Sequence, residues 1–396
     1  MHNRLASLSF FWVLAITLGV AAAEPLPPDL AEQQLLKTLA AAQAQNWVKA
    51  AELGQQLCTD FPHFRAARLL CDHIAQRRRL PLQAIMRVLE PEQDEYIETN
   101  LIAEVQQRFG ANANRITVEK YPQALLLLDA AINHALLVDT GRSRLYLLRN
   151  DNGRPRIIAD YYAGIGKQGP GKVFRGDHRT PLGVYTVVNK IPDAKLPELY
   201  GIGAMPIDYP NTWDKRMQRT GSGIWLHGVP RQTYSRPPFS SRGCVTLSNA
   251  IYSAILTRVT TGKTPIVIGE SMVWLDEQDW QEQQHTIRST IEQWRKDWAS
   301  LDFQRYISHY STEFDNGNED FAAWKKRKQS TNQRKQFITL KLTHLNIFSY
   351  PSETDLIQVD FRQHYQSSNF NGVNKKRQYW RLEKDGRWRI VHEGER

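Results

Sequence analysis

The chain has 396 residues, of which 41% are hydrophobic, 23% charged and 10% aromatic. At roughly 100 to 200 residues per domain, this length predicts two to four domains, and the composition excludes a collagen-like, an intrinsically disordered or a polytopic membrane protein. The 51 Lys and Arg residues against 41 Asp and Glu residues give a net charge of +10. The surface is therefore expected to attract polyanions such as nucleic acid, anionic lipid or cell-wall polymer.

Residues 1–23 have the pattern of a cleavable secretory signal. Arg4 precedes an apolar run from Leu8 to Val20, and Ala21 and Ala23 supply the small residues that signal peptidase requires. The run is shorter than the about 20 residues that span a bilayer; the alternative is an uncleaved membrane anchor. We predict a mature periplasmic chain, for which the expected polyanion is the cell wall and not nucleic acid.

The chain contains three cysteines, so at least one of them lacks a disulfide partner within the chain. Thiols in an oxidising compartment pair where geometry allows. Cys58 and Cys71 lie 13 residues apart on either side of a turn, and they are either a disulfide or two small buried side chains. In both cases Cys244 remains without a partner in the chain.

Residues 24–130 are predicted to form a helical region. Apolar and small residues recur at helical spacing between residues 29 and 80, and the pattern continues through a turn at 110–114 to an apolar run from Leu125 to Leu128. The first part resembles the helical hairpins of tetratricopeptide arrays over about one and a half repeats. We expect this region to serve packing or homodimer formation.

The pattern changes from helical to alternating near residue 130. His134 to Asp139 and Arg144 to Leu148 flank a turn and predict a β-hairpin. Further strands are predicted at 156–163, 183–188, 224–227 and 264–268, with one helix at 249–259. Residues 131–270 are therefore predicted to form a β-rich domain.

Residues 271–396 combine tryptophans at helical spacing with later alternating runs at 337–345, 356–365 and 378–382. Helices followed by antiparallel strands predict an α+β domain, and the whole chain is predicted to be an α+β multidomain protein. Tyr306 to Tyr310, the later strands and Gly386 to Trp388 resemble the nuclear-transport-factor-2-like cone fold. This fold serves enzymes, ligand pockets and dimers alike, so the domain is a second candidate for a homodimer surface.

The β-rich domain contains a histidine and a cysteine in a pattern suited to nucleophilic catalysis. His227 ends a predicted strand, and Cys244 follows Gly243 at the entry to the predicted helix. A helix N-terminus and a neighbouring imidazole favour thiolate, and the N–H groups of Gly243 and Cys244 are expected to bind the oxyanion of a tetrahedral intermediate. The alternative is a buried structural thiol beside an unrelated histidine.

Four ordered motifs lie between residues 132 and 269: Gly176 to Gly183, Tyr209-Pro210-Asn211, Gly221 to Gly228, and Ser241-Arg242-Gly243-Cys244. Together they resemble the L,D-transpeptidase catalytic domain of bacterial peptidoglycan enzymes. The resemblance implies that Cys244 is the acyl-accepting nucleophile and that His227 is its general base and then acid. It implies that the backbone carbonyl of Gly228 orients the imidazole, and we assign oxyanion or substrate binding to Gly243, Ser241 and Arg242.

The cysteine motif departs from the commonest family pattern at two positions. Arg242 stands where a second histidine is usual, and Thr246 where an arginine is usual. With the helical N-terminal region and the C-terminal cone, this form resembles the L,D-carboxypeptidases that trim stem peptides in curved and helical bacteria. Guanidinium groups match carboxylates in geometry; we expect Arg242 to use this match and Arg231 and Arg236 to be solvated surface residues.

The implied function is a peptidoglycan L,D-transpeptidase that acts on stem peptides. Cys244 attacks the carbonyl between the diamino acid in third position and the D-Ala in fourth, D-Ala leaves, and the acyl group passes to an amine of a second stem. One alternative is an L,D-carboxypeptidase, in which water takes the acyl group, and another is an inactive wall-binding scaffold. The sequence shows neither zinc-ligand spacing nor a phosphate-binding glycine loop, so no metal and no cofactor is expected.

Overall fold

The computed structural model describes residues 26–76, 95–113, 115–116 and 119–395. The predicted secretory signal, residues 1–23, lies outside the described residues. Within those ranges, no helix is long and apolar enough to cross a bilayer. We refer to residues 26–113 as the N-terminal region, 119–130 as the connecting segment, 131–270 as the central domain and 271–395 as the C-terminal domain.

The described part of the N-terminal region consists of helices. They are α1 Leu30–Gln43, α2 Trp47–Asp60, α3 Arg65–Gln76 and α4 Glu95–Ala113. Asp29 and Asn46 cap α1 and α2, since each side chain accepts a hydrogen bond from a backbone N–H in the first turn. Successive helices pack on one another around a small apolar core, which confirms the predicted helical character of the N-terminal region.

The helical prediction for residues 24–130 is wrong for the connecting segment, and its part at 77–94 lies outside the described residues. In the connecting segment, β1 Tyr121–Pro122 pairs with β13 Trp274–Leu275. The backbone N–H groups of Leu126 and Leu127 both donate to the carbonyl of Ile347, at 3.0 and 3.1 Å. The apolar run is therefore buried between the central and C-terminal domains, and not on the face of a helix.

A disulfide between Cys58 and Cys71 joins α2 to α3. The sequence leaves open whether these residues form a disulfide or are two separate buried side chains, and the structure has the disulfide. Cys244 is the free cysteine.

Removing this bridge should destabilise the N-terminal region. For a Cys58→Ala, Cys71→Ala double variant we expect the free energy of unfolding to fall by about 2–4 kcal/mol, because the unfolded chain regains loop entropy. Urea unfolding followed by circular dichroism measures this change, with Cys244→Ala as the matched control. An unfolding midpoint equal to that of the parent chain would contradict the prediction.

The central domain contains two main sheets, which confirms its predicted β-rich character. The first has the order β4-β3-β2-β12-β6 and consists of β2 His134–Asp139, β3 Arg144–Asp151, β4 Arg154–Tyr162, β6 Gly183–Thr186 and β12 Pro265–Gly269. The second has the order β11-β9-β8-β7 and consists of β7 Ile191–Pro192, β8 Gly203–Pro206, β9 Trp225–His227 and β11 Val245–Thr246. The strands β5 Ile165–Gly166 and β10 Phe239–Ser241 form a small third pair.

Two α-helices lie in the central domain, α5 Thr212–Arg216 and α6 Asn249–Leu256. The second corresponds to the helix predicted at 249–259 and ends earlier. Two short 3-10 turns, Asp193–Lys195 and Glu198–Tyr200, precede β8. The domain core fills the space between the two main sheets and α6, so the sheets hold the intervening loops in fixed positions.

The C-terminal domain packs helices against one antiparallel-rich sheet. The helices are α7 Glu277–Ala299, α8 Phe303–Ile307 and α9 Phe321–Gln333. The sheet has the order β14-β18-β17-β16-β15 and consists of β14 Tyr310–Asp315, β15 Ile338–Ser349, β16 Leu356–Ser367, β17 Phe370–Leu382 and β18 Trp388–Glu395. The ring of Trp294 on α7 packs on Phe361 and Trp380 of the sheet, with centroids 6.0 and 6.2 Å apart.

The central and C-terminal domains share one apolar cluster. It includes Leu137 and Val267 from the first central sheet together with Tyr350 and Tyr379 from the C-terminal sheet. Trp213 of α5 is 1% exposed within this cluster. The two domains are therefore joined by a continuous core.

The N-terminal region is fixed to the central domain by buried charges. Arg108 on α4 is 1% exposed and pairs with Glu104 at 3.0 Å and Glu32 at 3.1 Å. Its guanidinium lies 3.9 Å from the ring centroid of Tyr162 on β4. Arg144 on β3 reaches the same Glu32 at 2.8 Å. Because buried charges must be paired, this cluster fixes how the region docks.

Candidate active site

Strands β9 and β11 place His227 and Cys244 on one face of the second central sheet. The strands run parallel, with Val245 opposite Leu226 and Thr246 opposite His227. Val245 and Leu226 point into the domain core. Because side chains alternate along a strand, His227 and Thr246 project from the opposite face. Cys244 lies one residue before β11, and continuing the same alternation puts it on the face of His227.

The backbone carbonyl of the next residue, Gly228, orients the imidazole of His227. Its Nδ1 lies 2.6 Å from the carbonyl oxygen of Gly228, which is the contact that the family resemblance implies for Gly228. A carbonyl accepts only, so Nδ1 carries the proton and Nε2 is left as the basic nitrogen. The ring of Tyr200 packs edge-on against the imidazole, with centroids 4.9 Å apart.

The electrostatic setting of His227 keeps the imidazole neutral. The side chain is buried, and this burial lowers its pKa to about 4 although the Gly228 carbonyl acts in the opposite direction. The charge of Arg236 lowers the pKa further. At neutral pH the residue is therefore an unprotonated base.

Cys244 differs from the sequence expectation in two ways. It precedes the short strand β11, and α6 begins only at Asn249, so the thiol is not at a helix N-terminus. The residue as a whole is half-buried, yet enough protein surrounds its sulfur that burial raises the pKa of the thiol. The backbone N–H of Trp225 and the charges of Arg236 and Lys172 oppose this effect. The resting pair is therefore a neutral thiol and a neutral imidazole.

The turn before Cys244 is fixed by hydroxyl groups. Ser241 donates from Oγ to the carbonyl of Cys244 at 2.6 Å and accepts from the N–H of Gly243 at 3.0 Å. Thr180 donates from its hydroxyl to the carbonyl of Gly243 at 3.0 Å. The Gly243 amide is thus already engaged, which corrects its assignment as an oxyanion donor. Of the two amides named from the sequence, only that of Cys244 is retained for this role.

Gly243 itself is required by the backbone. Its φ is +118°, in the region that side chains rarely adopt. A Cβ added there would lie 2.7 Å from the carbonyl oxygen of Arg179. The glycine therefore allows close packing of the Cys244 turn on the 176–183 motif.

Of the arginines that the sequence analysis considered, Arg231 has the exposure we expected and Arg236 does not. Arg231 is exposed and pairs with Asp193, which agrees with a surface role. Arg242 is exposed as well. Arg236, which we expected to be solvated, is half-buried, and its Nη2 donates to the carbonyl of Leu199 at 3.2 Å. Of these three arginines, Arg236 is the one whose charge lowers the pKa of both His227 and Cys244.

Sequence reasoning missed three other residues that support the site. Asn249 accepts from the N–H of Val229 at 3.1 Å and donates to its carbonyl at 2.8 Å, which fixes the chain just after His227. Tyr200 packs on the imidazole, and Lys172, whose charge acts on the thiol, pairs with Asp177 at 2.7 Å. Asp177 lies within the Gly176 to Gly183 motif and gave a signal, whereas Tyr200 and Asn249 lie outside the recognised motifs.

These protonation states predict the acid limb of the pH profile. The family resemblance assigns the role of base to unprotonated His227, whose pKa is lowered to about 4 by burial. We expect kcat/KM to fall only as the pH drops through about 4, because the free protein keeps the neutral imidazole above that value. Initial rates of the D-Ala release that the resemblance implies, between pH 3.5 and 8, measure this limb. A fall in kcat/KM centred near pH 6.5, which is about the ordinary pKa of a histidine side chain, would contradict the prediction.

The central and C-terminal domains each match a known family model. Residues 133–268 match the model of the L,D-transpeptidase catalytic domain, named YkuD, and residues 286–394 match the model of the Cds6 C-terminal NTF2-like domain. The central domain is therefore similar to the L,D-transpeptidase catalytic domain, and the C-terminal domain is similar to an NTF2-like domain.

Solved structures share this architecture. Bd1075 from Bdellovibrio bacteriovorus is 27% identical with a TM-score of 0.62, over 70% of this chain and 98% of that chain. The helical cell shape determining protein Pgp2 from Campylobacter jejuni is 24% identical with a TM-score of 0.57, over 69% of this chain and 95% of that chain. A mutant of Pgp2 gives the same TM-score at 23% identity, over 74% and 99%. No protein with a curated description gave a match.

Proposed function

We propose that this protein is a peptidoglycan L,D-transpeptidase with Cys244 as nucleophile. It cleaves the bond between the diamino acid in third position and the D-Ala in fourth position of a tetrapeptide stem. The proposal is supported by the register of β9 and β11, which puts His227 on the face that Cys244, the residue before β11, also shares by alternation, within a stretch that matches the catalytic domain model. The Nδ1 contact with Gly228 leaves Nε2 as the base.

The first half-reaction follows from the neutral pair. His227 Nε2 takes the thiol proton as Cys244 Sγ attacks the stem carbonyl, and the backbone N–H of Cys244 stabilises the resulting oxyanion. As the tetrahedral intermediate collapses, the imidazolium gives the proton to the departing amine of D-Ala. A thioester between Cys244 and the tripeptide acyl group remains.

The acceptor in the second half-reaction has two candidates. The first is an amine of another stem, as the name of the matched family describes, and the product is a 3-3 cross-link. The second is water, which gives a tripeptide. Hydrolysis is supported by the charges that influence the thiol, which belong to Arg236 and Lys172 and are positive. Such charges disfavour the approach of an ammonium acceptor and do not affect water.

Product analysis tests the proposal and separates the candidates. Purified disaccharide-tetrapeptide is incubated with the mature protein, with Cys244→Ala and with an Arg231→Ala control, and the products are identified by mass. Cross-linked dimers support transfer, and tripeptide with free D-Ala supports hydrolysis. Tripeptide as the sole product at high acceptor concentration would exclude transpeptidation. An unchanged substrate with every protein would support the scaffold alternative.

We further propose that the protein works in the periplasm, on the cell wall, and contributes to cell shape. Pgp2, which shares the fold, is described as a helical cell shape determinant. The intact mass of the exported protein should correspond to a chain that begins at Glu24, after removal of residues 1–23. A mass that includes those residues would instead support an uncleaved anchor.

A further inference from the structure

The loop 230–238 connects the His227 strand to the Cys244 turn, and Tyr234 ties it to the N-terminal region. The hydroxyl of Tyr234 donates to the Asp29 carboxylate. Its backbone N–H donates to the carbonyl of His63 at 3.1 Å. Its ring packs on Phe61 and Phe64, with centroids 5.6 and 4.8 Å apart. The N-terminal region thus holds this residue by side chain and backbone together.

Ser235 makes a second attachment one residue later. Its hydroxyl donates to Glu104 on α4, and both residues are buried. Glu104 also accepts from Arg108, which belongs to the charge cluster that docks the N-terminal region. Two consecutive loop residues are therefore fixed by elements outside the central domain.

Arg236 follows directly, and its contacts attach it to two further segments of the central domain. Its carbonyl accepts from the hydroxyl of Tyr162 at 2.9 Å, and its guanidinium donates to the carbonyl of Leu199. Leu199 precedes Tyr200, whose ring packs on the imidazole of His227. The guanidinium is therefore anchored to the same short segment that covers His227.

The charge of Arg236 is uncompensated. Among the described residues, no carboxylate lies within ion-pair distance of its guanidinium. Lys172, the other cation that influences the thiol, is paired with Asp177 at 2.7 Å and is buried with it. A half-buried cation without a counter-ion costs solvation free energy. Its position is therefore maintained by the loop, and a negative charge forming at Cys244 would be its partner.

We propose that the N-terminal region completes the active site: Tyr234 and Ser235 hold the loop so that Arg236 presents its charge to Cys244 as the thiolate forms. This inference rests on the proposed role of Cys244. Tyr234 and Ser235 are positioning residues, and Arg236 supplies the electrostatic stabilisation. The N-terminal region then has a direct part in reactivity in addition to any part in assembly.

The charged and titratable groups around these residues are few. Arg236 and Lys172 act on Cys244, Arg236 acts on His227, and Cys244 and Tyr200 act on Arg236. Tyr234 faces Asp29, Arg108 and Ser248. A change in the thiol pKa after substitution of Arg236 therefore reports the loss of that one unpaired charge.

The test titrates the free thiol without substrate. The full mature chain, with its disulfide intact, is alkylated with iodoacetamide across pH, and modification of Cys244 is followed by peptide mass. Arg236→Gln should raise the thiol pKa by about one pH unit, since it removes a nearby opposite charge. Arg236→Lys should restore at least half of that shift. Arg231→Gln, in the same loop but paired with Asp193, is the matched control and should not move it.

The positioning half is tested by Tyr234→Phe combined with Ser235→Ala. These changes remove the two hydroxyl tethers and keep the packing, so we expect a smaller upward shift of the thiol pKa in a protein that still melts well above the assay temperature. If the thiol pKa of Arg236→Gln lies within 0.2 pH units of the parental value, the whole proposal is overturned. If the thiol pKa shifts with Arg236→Gln but not with the double variant, the role proposed for the N-terminal region is overturned. Because no turnover is measured, these outcomes are separate from failure of the proposed function, which Cys244→Ala reports.

Discussion

The His227→Gln protein is expected to lose about a thousandfold in kcat while remaining folded. Glutamine keeps a donor for the Gly228 carbonyl, which His227 Nδ1 contacts at 2.6 Å. It supplies no base of suitable strength to accept the thiol proton, and the thiol itself is not ionised in advance because burial raises its pKa. The loss should appear equally in kcat and kcat/KM, since the proton transfer belongs to the transition state.

Steady-state D-Ala release, with circular dichroism melting on the same samples, measures this effect. His285→Gln is the matched control, because His285 is exposed on α7, and it should retain parental activity. A His227→Gln protein with more than a tenth of the parental kcat would show that the imidazole is not the base.

The Trp213→Ala protein is expected to lose about 3–5 kcal/mol of unfolding free energy. Trp213 is 1% exposed, and its ring lies 4.9 Å from that of Tyr379 between centroids. Its Nε1 donates to Glu353 at 2.8 Å. Both partners belong to the C-terminal domain, so truncation removes apolar contacts across the domain boundary and leaves the Glu353 carboxylate without this donor.

Differential scanning calorimetry tests this expectation. We predict a lower melting temperature and separate transitions for the central and C-terminal domains, which share one cluster in the parent. Phe370→Ala is the control, since Phe370 is an exposed aromatic residue of the same domain, and it should change stability by at most about 0.5 kcal/mol. A single transition at the parental temperature for Trp213→Ala would contradict the account of the shared core.

Local patterns predicted most of the elements of this protein. The alternating runs around the turn at 140–143 gave the β2–β3 hairpin, and helical spacing gave α1 to α3. The motifs around His227 and Cys244 predicted a shared site, and the register of β9 and β11 is consistent with that prediction. These features depend on short stretches of sequence or on ordered motifs.

The features that sequence missed depend on contacts between distant segments. Leu125 to Leu128 have the apolar content of a helix, but pairing with Ile347 more than 200 residues later decides their structure. The state of the Cys244 thiol depends on burial by separate loops, and the position of Arg236 depends on docking against α4 and Asp29. Periodicity carries no information on such contacts, which is why Arg236 was wrongly expected to be solvated.

Trapping of the acyl-enzyme tests the central claim most directly. The mature protein is mixed with disaccharide-tetrapeptide, quenched in acid within one turnover, and analysed by intact mass and peptide mapping. The account predicts an adduct equal to the substrate without its D-Ala, located on the peptide that contains Cys244, and none with Cys244→Ala. Release of D-Ala at the parental rate by Cys244→Ala, without an adduct, would contradict it.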